Sequence, residues 1–237
     1  MIHGVINVYK EKGFTSHDVV ARLRGIARQK KIGHTGTLDP DAEGVLPVCL
    51  GKATRLCDML TDKDKTYEAV LLLGMETDTQ DTSGSIVRER STSQLTEEAV
   101  QEAVLRFTGE YAQIPPMYSA VKIGGRKLYE LAREGKVVER KARKVCIYDI
   151  RILEMRLPRV RMEIRCSKGT YIRTLCHDIG QSLGCGGCME QLIRTQVGRF
   201  GIADSKRLSE IEKMRDDGTL AEAVVPVDEM FPDYRKV

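Results

Sequence analysis

One carboxylate, Asp39, lies in the run Gly33-His34-Thr35-Gly36-Thr37-Leu38-Asp39-Pro40, between two apolar stretches. Pro40 disfavours helical backbone at Asp39 and so sets the direction of its side chain. Gly33 and Gly36 are expected to take backbone angles that other residues avoid. A carboxylate held in a stiff loop can serve as a nucleophile or a general base. The plainer alternative is an Asx-type turn that only joins two elements. A second group of chemically able residues is Cys166-Ser167-Lys168-Gly169-Thr170-Tyr171-Ile172-Arg173. Here a phenol and a guanidinium stand two residues apart, and an isolated pair of this kind is ordinarily a surface contact. Tyr67, in Lys65-Thr66-Tyr67-Glu68-Ala69, reads by itself as a ring at the start of a strand, packed on the core.

The elements that must position these residues are mixed. Val5 to Val8 reads as a short strand. Ser16 reads as the N-cap of a helix with Val19, Val20, Leu23 and Ile26 on one face, and Arg22, Arg24, Arg28, Lys30 and Lys31 outside that stripe. Tyr67 to Leu73 is an apolar strand. Thr96 caps a second helix with Glu97 and Glu98 in its first turn and Gly109 as its stop. Val145–Met155 and Val160–Cys166 are strands joined at Leu157-Pro158-Arg159. In the second of them Val160, Met162, Ile164 and Cys166 alternate with Arg159, Arg161, Glu163 and Arg165, the pattern of a half-buried antiparallel strand. A helix with Leu175 and Ile179 inward follows, which places Tyr171 and Arg173 at a strand-to-helix junction. Strands and helices alternate without a βαβ rhythm, so the expected class is α+β, with a largely antiparallel mixed sheet flanked by helices. Thr77 to Thr92, rich in Asp, Thr, Ser and Gly, reads as a loop within the domain.

Charge is unevenly spread along the 237 residues. The net charge is only +4, yet residues 119–173 hold 16 basic and 6 acidic side chains, while residues 58–118 hold 5 and 12. A concentrated basic segment in a near-neutral chain is the footprint of a polyanion contact, or else a solvated basic face. Seven cysteines, an odd number, do not form a disulfide framework, and no apolar run reaches membrane-spanning length. A reducing cytoplasm and no membrane are therefore expected. Cys185-Gly186-Gly187-Cys188 lacks a second ligand pair and reads as a turn rather than a metal site. Gly44 to Gly51-Lys52 has six intervening residues, not four, and Ala53 follows, so it is not a phosphate-binding loop.

The run His34-Thr35-Gly36-Thr37-Leu38-Asp39-Pro40, continued by Gly44-Val45-Leu46-Pro47-Val48-Cys49-Leu50-Gly51-Lys52-Ala53-Thr54, resembles the signature of the TruB-type pseudouridine synthases. Three further blocks agree: Lys65 to Ala69, Cys166 to Leu175, and Ile114-Pro115-Pro116-Met117-Tyr118-Ser119-Ala120-Val121-Lys122 with Gly124 to Gly135. Leu192-Ile193-Arg194-Thr195 is a shorter match. The resemblance implies the pseudouridine synthase fold and conversion of the T-loop uridine at tRNA position 55 to pseudouridine. It implies Asp39 as the attacking carboxylate, Arg173 as its partner, Tyr67 stacked on the target base, and Tyr171 in contact with the base and assisting proton transfer at C5. An arginine beside a carboxylate orients it and favours its ionised form.

The resemblance further implies that His34 wedges into the T loop where a nucleotide has been flipped out, and that Leu192 packs near the flipped base. Residues 115–145 would be an insertion that grips the T arm through Lys122, Arg126, Lys127 and Arg133, a loop that orders only on binding. Lys10, Lys168 and Arg194 complete the implied RNA-binding set. No metal or organic cofactor, no membrane and no protein partner is implied, and the expected state is a monomer. Glu11 stands where the family usually has proline. Members usually carry a small RNA-binding module after the catalytic domain, so the expectation here is one catalytic domain over residues 1–237 with that module absent or truncated. Attack at C1′, attack at C6, or proton removal giving a glycal all remain open. So do a guide-RNA-dependent relative and a non-catalytic tRNA chaperone on the same fold.

Overall fold

The computed structural model describes residues 1–230, which divide into two units, Met1–Tyr67 with Ile193 onward, and Glu68–Leu192. The chain begins in the first unit with β1 (Gly4–Lys10), α1 (Ser16–Ile26), β2 (Ile32–His34), β3 (Glu43–Leu50) and α2 (Cys57–Thr61). Strand β4 (Lys65–Leu73) starts in that unit and ends in the second. The second continues through β5 (Met75–Thr77), β6 (Ile86–Glu89), α3 (Glu97–Leu105), β7 (Gly109–Gln113), β8 (Lys122–Ile123), β9 (Arg126–Lys127) and α4 (Leu128–Arg133). It closes with β10 (Arg143–Arg156), β11 (Arg159–Cys166) and α5 (Ile172–Ser182). Strand β12 (Gly187–Val197) returns to the first unit, where β13 (Phe200–Gly201), α6 (Leu208–Asp216), β14 (Val224–Val225) and α7 (Val227–Met230) follow.

In the first unit the strands run β14-β1-β3-β12, with β2 also on β3 and β13 also on β12. All these pairs are antiparallel except β3 with β12, where Ile193 and Arg194 pair in parallel with Glu43 and Gly44. Both faces of β1 and β3 are covered. Ile6, Val8, Leu46, Val48 and Leu50 pack with Val19, Val20, Leu23 and Ile26 of α1 and with Leu208 and Ile211 of α6. Val5, Val45 and Cys49 pack on the other side with Ala53, Leu60, Val197 and Phe200. Burial of both faces explains why these strands read as unbroken apolar runs.

The second unit orders its strands β4-β11-β10-β7. Val160, Met162, Ile164 and Cys166 of β11 are fully buried, as the alternation requires. Helix α3 packs on β10 and α5. The α+β class with a largely antiparallel, mixed sheet is therefore observed, and the helix, strand and junction around Tyr171 fall where the sequence places them. Among the described residues no helix is long and apolar enough to cross a membrane.

Four local expectations are corrected. Thr15, not Ser16, is the N-cap of α1: its hydroxyl accepts from Asp18 N–H at 3.0 Å, and the Asp18 carboxylate accepts from Thr15 N–H at 2.8 Å. Thr77 to Thr92 is not a plain loop, because β5 and β6 form a hairpin whose turn is organised by Asp81, which accepts from Ser83 N–H at 3.0 Å. Gly33 is an ordinary residue of β2 paired with Cys49; the unusual angle belongs to Gly36, at φ +111°. Helix α3 ends at Leu105, before Gly109, which instead opens β7.

Candidate active site

Within the first unit, the loop carrying Asp39 is tied at nearly every residue. Pro40 takes the second position of a turn closed by Ala42 N–H donating to Asp39 O at 3.1 Å. Gly13 N–H donates to Pro40 O at 2.9 Å, and Thr35 N–H and hydroxyl both donate to Pro47 O, at 3.1 and 3.0 Å. The buried Ser16 hydroxyl, released from capping by Thr15, accepts from Leu38 N–H at 2.9 Å and lies 3.3 Å from Leu38 O. Asp39 itself is half-buried, between buried Leu38 and exposed Pro40. Each such bond contributes about 1 kcal/mol net, and together they hold one carboxylate at one place.

Two cations assigned to RNA from the sequence do something else. Lys10 is fully buried, and its ammonium donates to Phe14 O at 2.6 Å and to Glu11 O and Pro40 O at 3.2 Å. Arg194 is 1% exposed, and its guanidinium donates to Val45 O at 2.8 Å, Gly36 O at 3.4 Å and Thr37 O at 3.5 Å. Both are therefore corrected from RNA contacts to internal braces of the Asp39 loop. The physical reason is that the loop turns several backbone carbonyls inward, and a buried carbonyl needs a donor.

Burial pulls the Lys10 pKa down to about 8, against the attraction of Asp39, Glu43 and Asp41. Below pH 8 both the folded and the unfolded chain carry this proton. Between pH 8 and 10.5 the unfolded chain holds a proton that the folded chain releases, so the stability attributable to this group rises with pH. The unfolding free energy of wild type relative to Lys10→Met is expected to increase across that window, by at most about 1.4 kcal/mol per pH unit. Urea titrations of both proteins from pH 7 to 10 measure it, and a flat difference would mean that the ammonium stays charged in the fold.

His34 ends β2, half-buried, with its ring edge-on to His17 at 5.3 Å and 78°. Burial holds its pKa below the ordinary value, and the nearby His17 pushes the same way, so the imidazole favours its neutral form. Tyr67, 8% exposed, belongs to the same unit.

In the second unit Tyr171 is the residue preceding α5 and Arg173 lies in its first turn. Arg173 is 6% exposed; its guanidinium donates to Tyr118 O at 2.8 Å and Thr79 O at 3.2 Å, and Nε lies 3.8 Å from Asp81 Oδ2. Asp81 thus organises the β5–β6 turn with one oxygen and faces Arg173 with the other. Sequence reading missed it, because a carboxylate in a Thr- and Ser-rich stretch looks like turn chemistry. The Thr79 hydroxyl donates to Asp81 Oδ1 at 2.7 Å, which is itself turn chemistry, so no sequence signal set this carboxylate apart. Leu192, 8% exposed, also lies in this unit.

The implied gripping segment holds a hairpin and a short helix. Strands β8 and β9 form a hairpin with Gly124 and Gly125 at φ +58° and +83° in its two-residue turn. Leu128 N–H donates to Val121 O at 2.8 Å and seats α4 against it, with the Leu128 side chain fully buried. Lys122, Arg126, Arg133 and Lys168 are exposed. Lys127 and Arg133 lie 5.4 and 5.3 Å from the Tyr129 ring centre, and Arg126 is ion-paired with Glu134.

Residues 24–172 match the model of the TruB family pseudouridylate synthase N-terminal domain, and residues 173–232 that of the tRNA pseudouridylate synthase B C-terminal domain. A protein of Lachnoclostridium phytofermentans named tRNA pseudouridine synthase B is 59% identical over 244 residues, covering 100% of this chain and 79% of that protein. Its namesake in Clostridium tetani is 47% identical over 236 residues, with 100% and 80% covered. Among solved structures, one of a Cbf5-Nop10-Gar1 complex aligns with a TM-score of 0.77 and 33% identity. That alignment covers 96% of this chain and 61% of the other, so this chain spans less than two thirds of that relative. With full-length identity at this level and the family model covering residues 24–172, the chain belongs to the TruB family of pseudouridylate synthases.

Proposed function

We propose that the chain isomerises the T-loop uridine at position 55 of tRNA to pseudouridine, acting alone and in the cytoplasm. The observation that carries this reading is the bracing of Asp39: one half-buried carboxylate on a loop held by Ser16, Lys10, Gly13 and Arg194. Such rigidity suits a group that must meet one atom of an extruded nucleotide. The family membership reported above gives that atom its context.

In this reading the basic segment and the hairpin–helix of residues 115–145 grip the T arm as part of one catalytic domain, through Lys122, Arg126, Lys127, Arg133 and Lys168. His34, neutral, fills the gap left by the flipped base without adding charge to the stack. Leu192 packs beside that base and Tyr67 stacks on it, a contact of about 1–3 kcal/mol. Asp39, paired with Arg173, attacks the nucleoside. The N1–C1′ bond breaks, the base rotates in place, and a C5–C1′ bond forms as the Asp39 carboxylate is released. C5 then loses its proton with help from Tyr171, while N1 gains one. Uridine and pseudouridine are isomers, so no electrons, water or transferred group are needed, and neither is a cofactor.

The test is site-resolved mapping of pseudouridine in an unmodified tRNA transcript incubated with the purified chain alone. Product confined to the T-loop uridine is expected. Product only after a guide RNA is added would favour the guide-dependent relative. Refolding of misfolded tRNA with no product at any site would favour the chaperone.

A further inference from the structure

Gln113, the last residue of β7, is 1% exposed and belongs to none of the residue groups treated so far. Its carboxamide grips the backbone of Tyr171 at both polar groups. Oε1 accepts from Tyr171 N–H at 2.7 Å, and Nε2 donates to Tyr171 O at 3.0 Å. The remaining Nε2 proton goes to the Tyr111 hydroxyl at 3.0 Å, which in turn donates to Asp178 Oδ2 at 2.7 Å. Every proton in this chain has one place. The Tyr171 N–H needs an acceptor, which the Gln113 carboxamide oxygen supplies, and this fixes the orientation of the amide; the Tyr171 carbonyl also accepts from Leu175 N–H at 3.1 Å. Tyr111 must then accept from Gln113, so its own proton can only point to Asp178.

Burial raises the pKa of both Tyr111 and Asp178, while their mutual hydrogen bond favours the Asp178 carboxylate form that can accept. Tyr111 is further held edge-on by Phe107 at 5.3 Å. The Tyr171 side chain makes no capping bond at the N-terminus of α5, so the placement of Tyr171 rests on this clamp and on the helix that follows. Five residues beyond Gln113, the Tyr118 carbonyl accepts from Arg173. The chain entering the 115–145 segment therefore bonds to the start of α5 at Tyr171 and at Arg173, the two residues where chemistry is expected.

We infer that Gln113, backed by Tyr111 and Asp178, is a positioning residue for Tyr171, setting where its phenol meets the base. The inference rests on the proposed synthase activity. Gln113→Met keeps the side-chain length and removes both bonds. It is expected to lower the single-turnover rate of pseudouridine formation by about 10²-fold, with tRNA affinity within about threefold of wild type. In a double-mutant cycle, Gln113→Met is expected to add little to the loss caused by Tyr171→Phe, because both act on the same phenol. Independent, additive losses, or a weakened affinity with an unchanged rate at saturation, would overturn the inference. If Gln113→Met does not fold, Tyr111→Phe takes its place in the same cycle, with a smaller loss and the same non-additivity expected. An inactive wild type would instead overturn the proposed function, and the two failures are thus separable.

Discussion

Asp39→Asn is expected to abolish pseudouridine formation, lowering the single-turnover rate by roughly 10⁴-fold or more, while tRNA affinity changes only a few-fold. The size follows from removing the attacking group outright rather than misplacing it. The substitution keeps the shape of the side chain and leaves the turn intact. Ala42 N–H still donates to the residue 39 carbonyl, Ser16 still holds Leu38, and Lys10 and Gly13 still hold Pro40. The substitution also removes the attraction of Asp39 for the buried Lys10 ammonium, so the urea midpoint is measured beside the rate, and a variant still folded at assay conditions separates a lost rate from a lost fold. A variant that still forms product at a tenth of the wild-type rate would remove Asp39 from the chemistry, and the bracing of its loop would need another purpose.

Gly44→Ala is expected to have the largest effect on stability. At Gly44 the parallel pair of β3 with β12 brings two backbones together. A Cβ there would lie 2.2 Å from the Arg194 carbonyl oxygen and 2.9 Å from its nitrogen, at φ +106°. Backbone cannot swing aside as a side-chain tip does, so either the strands part or the chain strains. We expect about 3–5 kcal/mol, a large fraction of a typical 5–15 kcal/mol stability. Gly13→Ala is the control: its φ is +88°, yet nothing lies within 4 Å of the added carbon, so about 1 kcal/mol of strain is expected alone. Comparable urea midpoints for the two variants would mean that the collision is relieved at no cost. Parting of the strands would also move Arg194, whose guanidinium reaches Gly36 and Thr37, so activity should fall with stability.

Much of the frame was legible because it follows local rules. The alternation in residues 159–166 could only be a strand with one face buried, and Thr96 ahead of two glutamates could only open a helix. The Asp-Pro step announced a turn, and a turn is what Ala42 closes on Asp39. Where local rules offered two neighbours, the choice was less secure. Thr15 and Ser16 are both good caps, and the one that won did so because Asp18, three residues on, completes the box. That left Ser16 for Leu38, a partner 22 residues away that no local pattern names.

The roles of the charged residues were the least legible part. Lys10 and Arg194 look in sequence like any other cations available to an anionic ligand, and only packing reveals that their partners are carbonyls of their own unit. Arg194 finds Val45 across 149 residues, and Arg173 finds Thr79 across 94. Gln113 is plainer still in sequence, a polar residue before two prolines, and becomes a clamp only when α5 presents Tyr171 to it across 58 residues.

The sequence by itself determined the family and the class of fold, because long ordered runs of residue types carry the first and short-range periodicity the second. The tertiary structure alone decided which cations face solvent and which brace the Asp39 loop, and what holds Tyr171. A buried hydrogen bond is set by which carbonyls and amides the packed chain leaves without partners, and that is known only once distant segments have met.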